Sequence, residues 1–121
     1  MIVALALAAA LQAEPLDWNA LPPLPYRAPP LITPEMDAFV RREVAIRKCP
    51  VEHGKALIVE VAVLVDPAGG IRTTVPRAIR CASVEQYAAA LVAGFARNNL
   101  LPRSTDAEHW YRTSLSFVIA K

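Results

Sequence analysis

Two cysteines and two histidines, Cys49, His53, Cys81 and His109, are the residues of this chain best suited to chemistry. Thiolate and imidazole are the usual ligands of zinc, so the four together define a conceivable metal site. Their spacing is not that of a compact zinc motif, whose ligands come in close pairs. An even cysteine count in a short chain that opens on a signal-like segment points instead to one disulfide, Cys49 with Cys81. Such a bridge closes a loop of about 33 residues and removes roughly 3.5 to 4 kcal/mol of unfolded-chain entropy in the chain-entropy description. A small exported enzyme or metal-binding protein using these four residues is the alternative.

Other catalytic patterns are missing. No serine sits in a nucleophile elbow, and no pair of carboxylates stands out. His53 and His109 fall in polar stretches and read as surface residues, while Arg77 and Arg80 read as salt-bridge partners. No catalytic residue, metal or cofactor is therefore expected. Charge is nearly balanced, 13 Lys plus Arg against 11 Asp plus Glu, which gives no electrostatic footprint for nucleic acid. The one dense basic group, Arg41, Arg42, Arg47 and Lys48, lies on an expected helix and reads as a solvated face.

The stretch LIVEVAVLVDPAGGI, residues 57–71, offers a third chemistry, a glycine loop for phosphate. That loop needs a helix after its glycines and commonly a Lys followed by Ser or Thr. Here the glycines lead into Ile-Arg-Thr-Thr-Val, a strand pattern. Leu57, Val59, Val61, Val63 and Val65 form a uniformly apolar face, and Ile58, Glu60, Ala62 and Leu64 a mixed one. A second alternating run, residues 71–81, places Ile71, Thr73, Val75, Arg77, Ile79 and Cys81 on one side. The five residues between, Asp66 to Gly70, make the pair a β-hairpin. Pro76 cannot donate to a ladder, so the second strand is expected at an edge or bulged there.

Around this hairpin, further elements follow from capping and periodicity. Thr33 before Pro34, with Glu35 and Asp37 in the first turn, predicts a helix whose face is Met36, Phe39, Val40 and Glu43 or Val44. Pro50 stops it near Lys48. Ser83 and Gln86 have capping-box spacing, and Val84, Tyr87, Leu91 and Phe95 then recur at helical spacing to about Asn98 or Asn99. The last strand, from Trp110, turns Tyr111, Thr113, Leu115, Phe117 and Ile119 one way. The order is helix, strand, strand, helix, strand, an α+β pattern with a small three-stranded antiparallel sheet and two helices on one of its faces.

Upstream of these elements the chain reads differently. The apolar run Ile2–Leu11 would span about 15 Å as a helix, short of the roughly 30 Å hydrocarbon core. Residues 1–13 are expected to be a signal peptide or short apolar segment, and the mature protein to be exported to the periplasm. Residues 14–34 hold seven of the eleven prolines and read as an extended spacer, with Trp18 and Tyr26 leaning back on the domain. The folded domain is expected over residues 35–121.

The run VEVAVLVDPAGGIRTTVPRAI, the helix ending GFARNNLLP and the final strand YRTSLSFVIA together resemble the C-terminal domain of the TonB family, with the TolA domain a more distant relative. The resemblance covers roughly residues 35–121. It implies an αββαβ fold that engages a short segment of an outer-membrane receptor by strand addition beside the last strand, in the service of energy-dependent transmembrane transport. Carried over, Trp110, Tyr111, Arg112, Thr113, Ser114, Leu115, Ser116 and Phe117 supply the edge through their backbones. The expected partner is thus an envelope protein, such as a TonB-dependent outer-membrane receptor, with neither nucleic acid nor a full transmembrane helix involved. A secreted stability or inhibitor domain borrowing the same fold is a second alternative.

Overall fold

Thr33 starts the first helix, α1 (Pro34–Arg47), with its Oγ1 accepting the Met36 N–H at 3.2 Å. The reciprocal half of this cap is a sulfur contact, since the Thr33 N–H points at Met36 Sδ at 3.5 Å. Lys48 then takes a left-handed conformation, φ 53°, and the Cys49 N–H returns to the Val44 carbonyl, which ends the helix before Pro50. The protein is described here from a computed structural model covering residues 16–51, 54 and 56–119; the apolar segment 1–13 and His53 lie outside the described residues.

Strand β1 (Ala56–Val65) pairs antiparallel on both sides, with β2 (Ile71–Pro76) and β3 (His109–Val118), so the sheet order is β2-β1-β3. Helix α2 (Ala82–Ala96) lies between β2 and β3 in the chain. The valines of β1 explain its central place: Val59, Val61, Val63 and Val65 are fully buried under the helices. Val40 of α1, Val84, Ala88 and Val92 of α2, and Leu115 and Phe117 of β3 complete that core. Tyr87 joins the layers, its ring 4.2 Å from Phe39 of α1 and 6.3 Å from Phe117 of β3. The expected α+β class and αββαβ order hold, with both helices on this one face of the three-stranded sheet. Ile46, by contrast, points away and is exposed.

The Asp66–Gly70 turn closes by its own polar groups. Asp66 Oδ1 accepts from the Ala68 and Gly70 N–H groups at 2.9 and 2.8 Å, and Gly69 adopts φ 89°. A Cβ on Gly70 would stand 2.6 Å from Asp66 Oδ2, so any other residue there would push on the carboxylate that closes the turn. Arg103 donates to the Asp66 carbonyl and, at 2.9 Å, to the Tyr111 hydroxyl, tying the turn to β3.

Expectations for β2 and for α2 are corrected. Strand β2 ends at Pro76 instead of Cys81, and its register slips between Leu64 and Val65, leaving Arg72 as an extra residue. Past this bulge Thr74 faces α2, its hydroxyl donating to the Ala89 carbonyl at 3.3 Å, while Thr73 and Val75 turn to the opposite face. Ile71, Thr73 and Val75 therefore do not share a side. At α2, Ser83 is not the N-cap: Cys81 holds that position, and the Glu85 carboxylate reaches back to the Ile79 and Cys81 N–H groups at 2.9 and 3.1 Å. The helix also ends earlier, at Ala96, with Asn98 at φ 54°.

The proline-rich stretch is extended, as its composition dictates, and it is docked on the domain. A short 3-10 turn, Trp18–Ala20, covers the second face of the sheet, where Ala62 is fully buried. The chain then rounds the β3 edge, buries Leu24 to 6% exposure in the main core, and pairs Tyr26 with Leu100. Asn99 clamps it further on: its side-chain amide donates to the Ala28 carbonyl at 2.7 Å and accepts the Ala28 N–H at 3.0 Å.

Candidate functional site: the outer edge of β3

Directly opposed residues of an antiparallel pair alternate between those that exchange hydrogen bonds and those whose backbone groups turn away. The Arg112 N–H donates to the Pro22 carbonyl at 2.8 Å, and the Arg112 carbonyl accepts from the Leu24 N–H at 2.9 Å. Arg112 thus faces outward from the sheet. Because the β1–β3 register runs unbroken from Ala56–Val118 to Val65–His109, Trp110, Ser114, Ser116 and Val118 face outward with it. Tyr111, Thr113, Leu115 and Phe117 spend their backbone groups on β1.

These outward positions are not equivalent. Arg112 is taken by the proline-rich strap. Val118 is taken by α1, its N–H donating to Asp37 Oδ1 at 2.8 Å and its carbonyl accepting from Arg41 Nη1 at 3.1 Å. Among the described residues, the N–H and carbonyl groups of Ser114 and Ser116, between these two stops, have no protein partner. Both serines are exposed. The result is a window of two free backbone positions within a reach of about 20 Å from Arg112 to Val118, at roughly 3.4 Å per residue. Backbone groups in this arrangement are a template for an added extended segment.

The second face of the sheet flanks the window. Glu60, opposite Ser114, accepts from Arg77 at 2.7 Å and from Arg112 at 3.5 Å. Arg77 lies over the Trp18 ring, 5.4 Å from its centroid, and Arg112 donates to the Trp18 carbonyl at 3.2 Å. Ile58, opposite Ser116, is 58% exposed, and Val118 beside it is also exposed, so the lower half of this flank is apolar. The upper half is a groove lined by Trp18, Leu21, Val75 and Trp110.

The expected edge residues, Trp110 to Phe117, all lie on β3, and β3 is an edge strand. Sequence reasoning treats them as one surface; register divides them into outward and inward sets. It also missed the residues that set the window's limits, Pro22, Leu24, Asp37 and Arg41. The i,i+4 spacing of Asp37 and Arg41 places them on one side of α1, a weak signal with no target visible in sequence.

Among the described residues the metal alternative does not assemble. Cys49 and Cys81 are joined in a disulfide with Cα atoms 5.3 Å apart, so neither sulfur is a thiolate ligand. The bridge links the chain just after α1 to the start of α2. His109 is exposed at the start of β3, its Nε2 2.9 Å from Thr105 Oγ1. Among the described residues no helix is long and apolar enough to cross a membrane. No protein-family model, curated protein or solved structure matches the chain significantly.

Proposed function

We propose that the protein is a periplasmic binding domain, similar to the C-terminal domain of the TonB family, that takes up an extended segment of an envelope partner by strand addition at β3. The partner class is an envelope protein such as an outer-membrane receptor segment, in a process related to energy-dependent transport. The observation that carries this reading is the pair of unpartnered backbone positions, Ser114 and Ser116, between two satisfied ones. Main-chain hydrogen bonds supply affinity in this mode, and pockets beside alternate side chains supply selectivity. The exposed Ile58 and Val118 favour an apolar residue on the second-face side of the added segment.

Proline scanning along β3 tests it with envelope extracts and the full chain. Ser114→Pro and Ser116→Pro each remove an N–H that faces outward, a substitution edge strands tolerate. Thr113→Pro removes a ladder bond to β1 and serves as the destabilised control. Capture of a partner is expected to fall about 2- to 10-fold for each serine variant, from about 0.5–1.5 kcal/mol per lost hydrogen bond. Undiminished capture by both variants, with the fold intact by circular dichroism, counts against strand addition at this edge.

A further inference from the structure

The segment that occupies Arg112 belongs to the chain itself, and its own hydrogen bonds mark where it stops. Pro22, Pro23 and Pro25 have no N–H, so Leu24 is the one donor among residues 22–25, and it is used on the Arg112 carbonyl. The strap runs parallel to β3 at this point, then leaves: the Leu24 carbonyl accepts from the Tyr26 N–H at 2.9 Å, and the Pro25 carbonyl from the Leu101 N–H at 2.8 Å. It therefore holds one outward position of the edge and does not pair with Ser114.

A partner strand longer than about four residues would meet Leu24 when pairing with β3 through Ser114. Strap and partner then want the same groups of Arg112. Building on the strand-addition reading, we propose that the strap is an intramolecular gate on the β3 edge, a resident occupant that competes with the partner segment for Arg112. With the strap seated, the edge admits a short extended segment that has no proline opposite Ser114 or Ser116. With it lifted, the outward positions from Trp110 to Ser116 become one continuous template. Its fastenings are separate from the sheet's own ladder: Leu24 in the core, the Asn99 amide on Ala28, the Tyr26 hydroxyl near Thr113 Oγ1 at 3.3 Å, and Arg112 on the Trp18 carbonyl. Opening the strap breaks none of the bonds between β1 and β3.

Two measurements on the full-length chain test the gate without any envelope partner. In native-state hydrogen exchange, the Arg112 amide is expected to exchange at least 100-fold faster than the Thr113 amide, because strap opening exposes the first and only loss of the sheet exposes the second. Equal rates at the two positions overturn the gate and make the strap a permanent part of the fold. Second, a synthetic peptide carrying residues 18–28 is added in trans. It is expected to bind Leu24→Ala at least tenfold more tightly than the unsubstituted protein and to restore protection at Arg112. A folded Leu24→Ala that gains no affinity for the peptide overturns the proposal, and if that variant fails to fold, the exchange comparison in the unsubstituted protein decides. The strand-addition reading fails separately: an opening strap with no edge-dependent capture of an envelope protein removes that reading, whereas capture equal in the unsubstituted protein and Leu24→Ala removes the gate.

Discussion

At one edge of the sheet, β2 turns Thr74 and Pro76 outward; at the other, β3 turns out Trp110, Arg112, Ser114, Ser116 and Val118. The β2 edge is short, carries a bulge at Arg72, and has a proline at an outward position where the missing N–H costs nothing. It offers a partner one outward N–H among Thr74 and Pro76. The β3 edge is long and regular and is closed by other parts of the chain at Arg112 and Val118, which leaves a defined gap. Covalent blunting makes an edge inert, whereas closure by docked groups leaves it selectable.

The comparison breaks most completely if β3 loses its inner face. Phe117→Ala removes a fully buried ring and is expected to cost about 3–5 kcal/mol, read as a lower urea midpoint. Val75→Ala on β2, 36% exposed, should change stability by less than about 1 kcal/mol. Equal costs would mean that the strands are not anchored as unequally as their burial implies. Next in size is the Cys49–Cys81 bridge. Replacing both cysteines with serine is expected to cost about 3.5 kcal/mol by loop entropy, with the Ser114 and Ser116 amides still exposed in whatever fraction remains folded.

Much of this asymmetry was legible beforehand, but not the part that matters most for binding. The faces of β1 follow from alternation alone, and the Thr33 cap and the Pro50 stop follow from residue chemistry. The bulge at Arg72 does not, because it exists only in the pairing with Leu64 and Val65. Nor does the displaced cap of α2: Ser83 has capping spacing, yet the chain leading out of the disulfide puts Cys81 at the cap and lets Glu85 bond its N–H. The docked strap is legible only in part: Trp18 and Tyr26 read as leaning back on the domain, whereas the burial of Leu24 and its bond to Arg112 do not. Prolines suppress periodicity, and one buried leucine among them gives no pattern to read. The edge was identifiable as β3, while its window depended on contacts from residues some 80 to 90 positions away in the chain.

Smaller perturbations sharpen the contrast at the turn and at the strap. Asp66→Ala removes the acceptor of the Ala68 and Gly70 N–H groups and should cost about 1–2 kcal/mol, loosening the β1–β2 hairpin while leaving β3 exchange unchanged. At the strap, burial pushes the Tyr26 hydroxyl above its ordinary pKa of 10.0, partly offset by the hydrogen bond from Thr113. A raised pKa means that the folded protein holds this proton more tightly than the unfolded chain. The stabilisation is complete below about pH 10 and is lost as pH rises through the folded value. The ultraviolet titration difference between the unsubstituted chain and Tyr26→Phe should place the Tyr26 ionisation above pH 10, followed by faster exchange at Arg112 and no change at Thr113. A Tyr26 that ionises at the ordinary value would show that the strap is not seated as described.

The central claim, a gap of two open positions between two closed ones, is tested most directly by amide exchange rates along β3 in the free, full-length protein. The expected pattern is fast exchange at Ser114 and Ser116, slow exchange at Thr113, Leu115 and Phe117, and intermediate rates at Arg112 and Val118. Protection of Ser114 and Ser116 equal to that of Leu115 would contradict it, since the edge would then already be paired and have no window to offer.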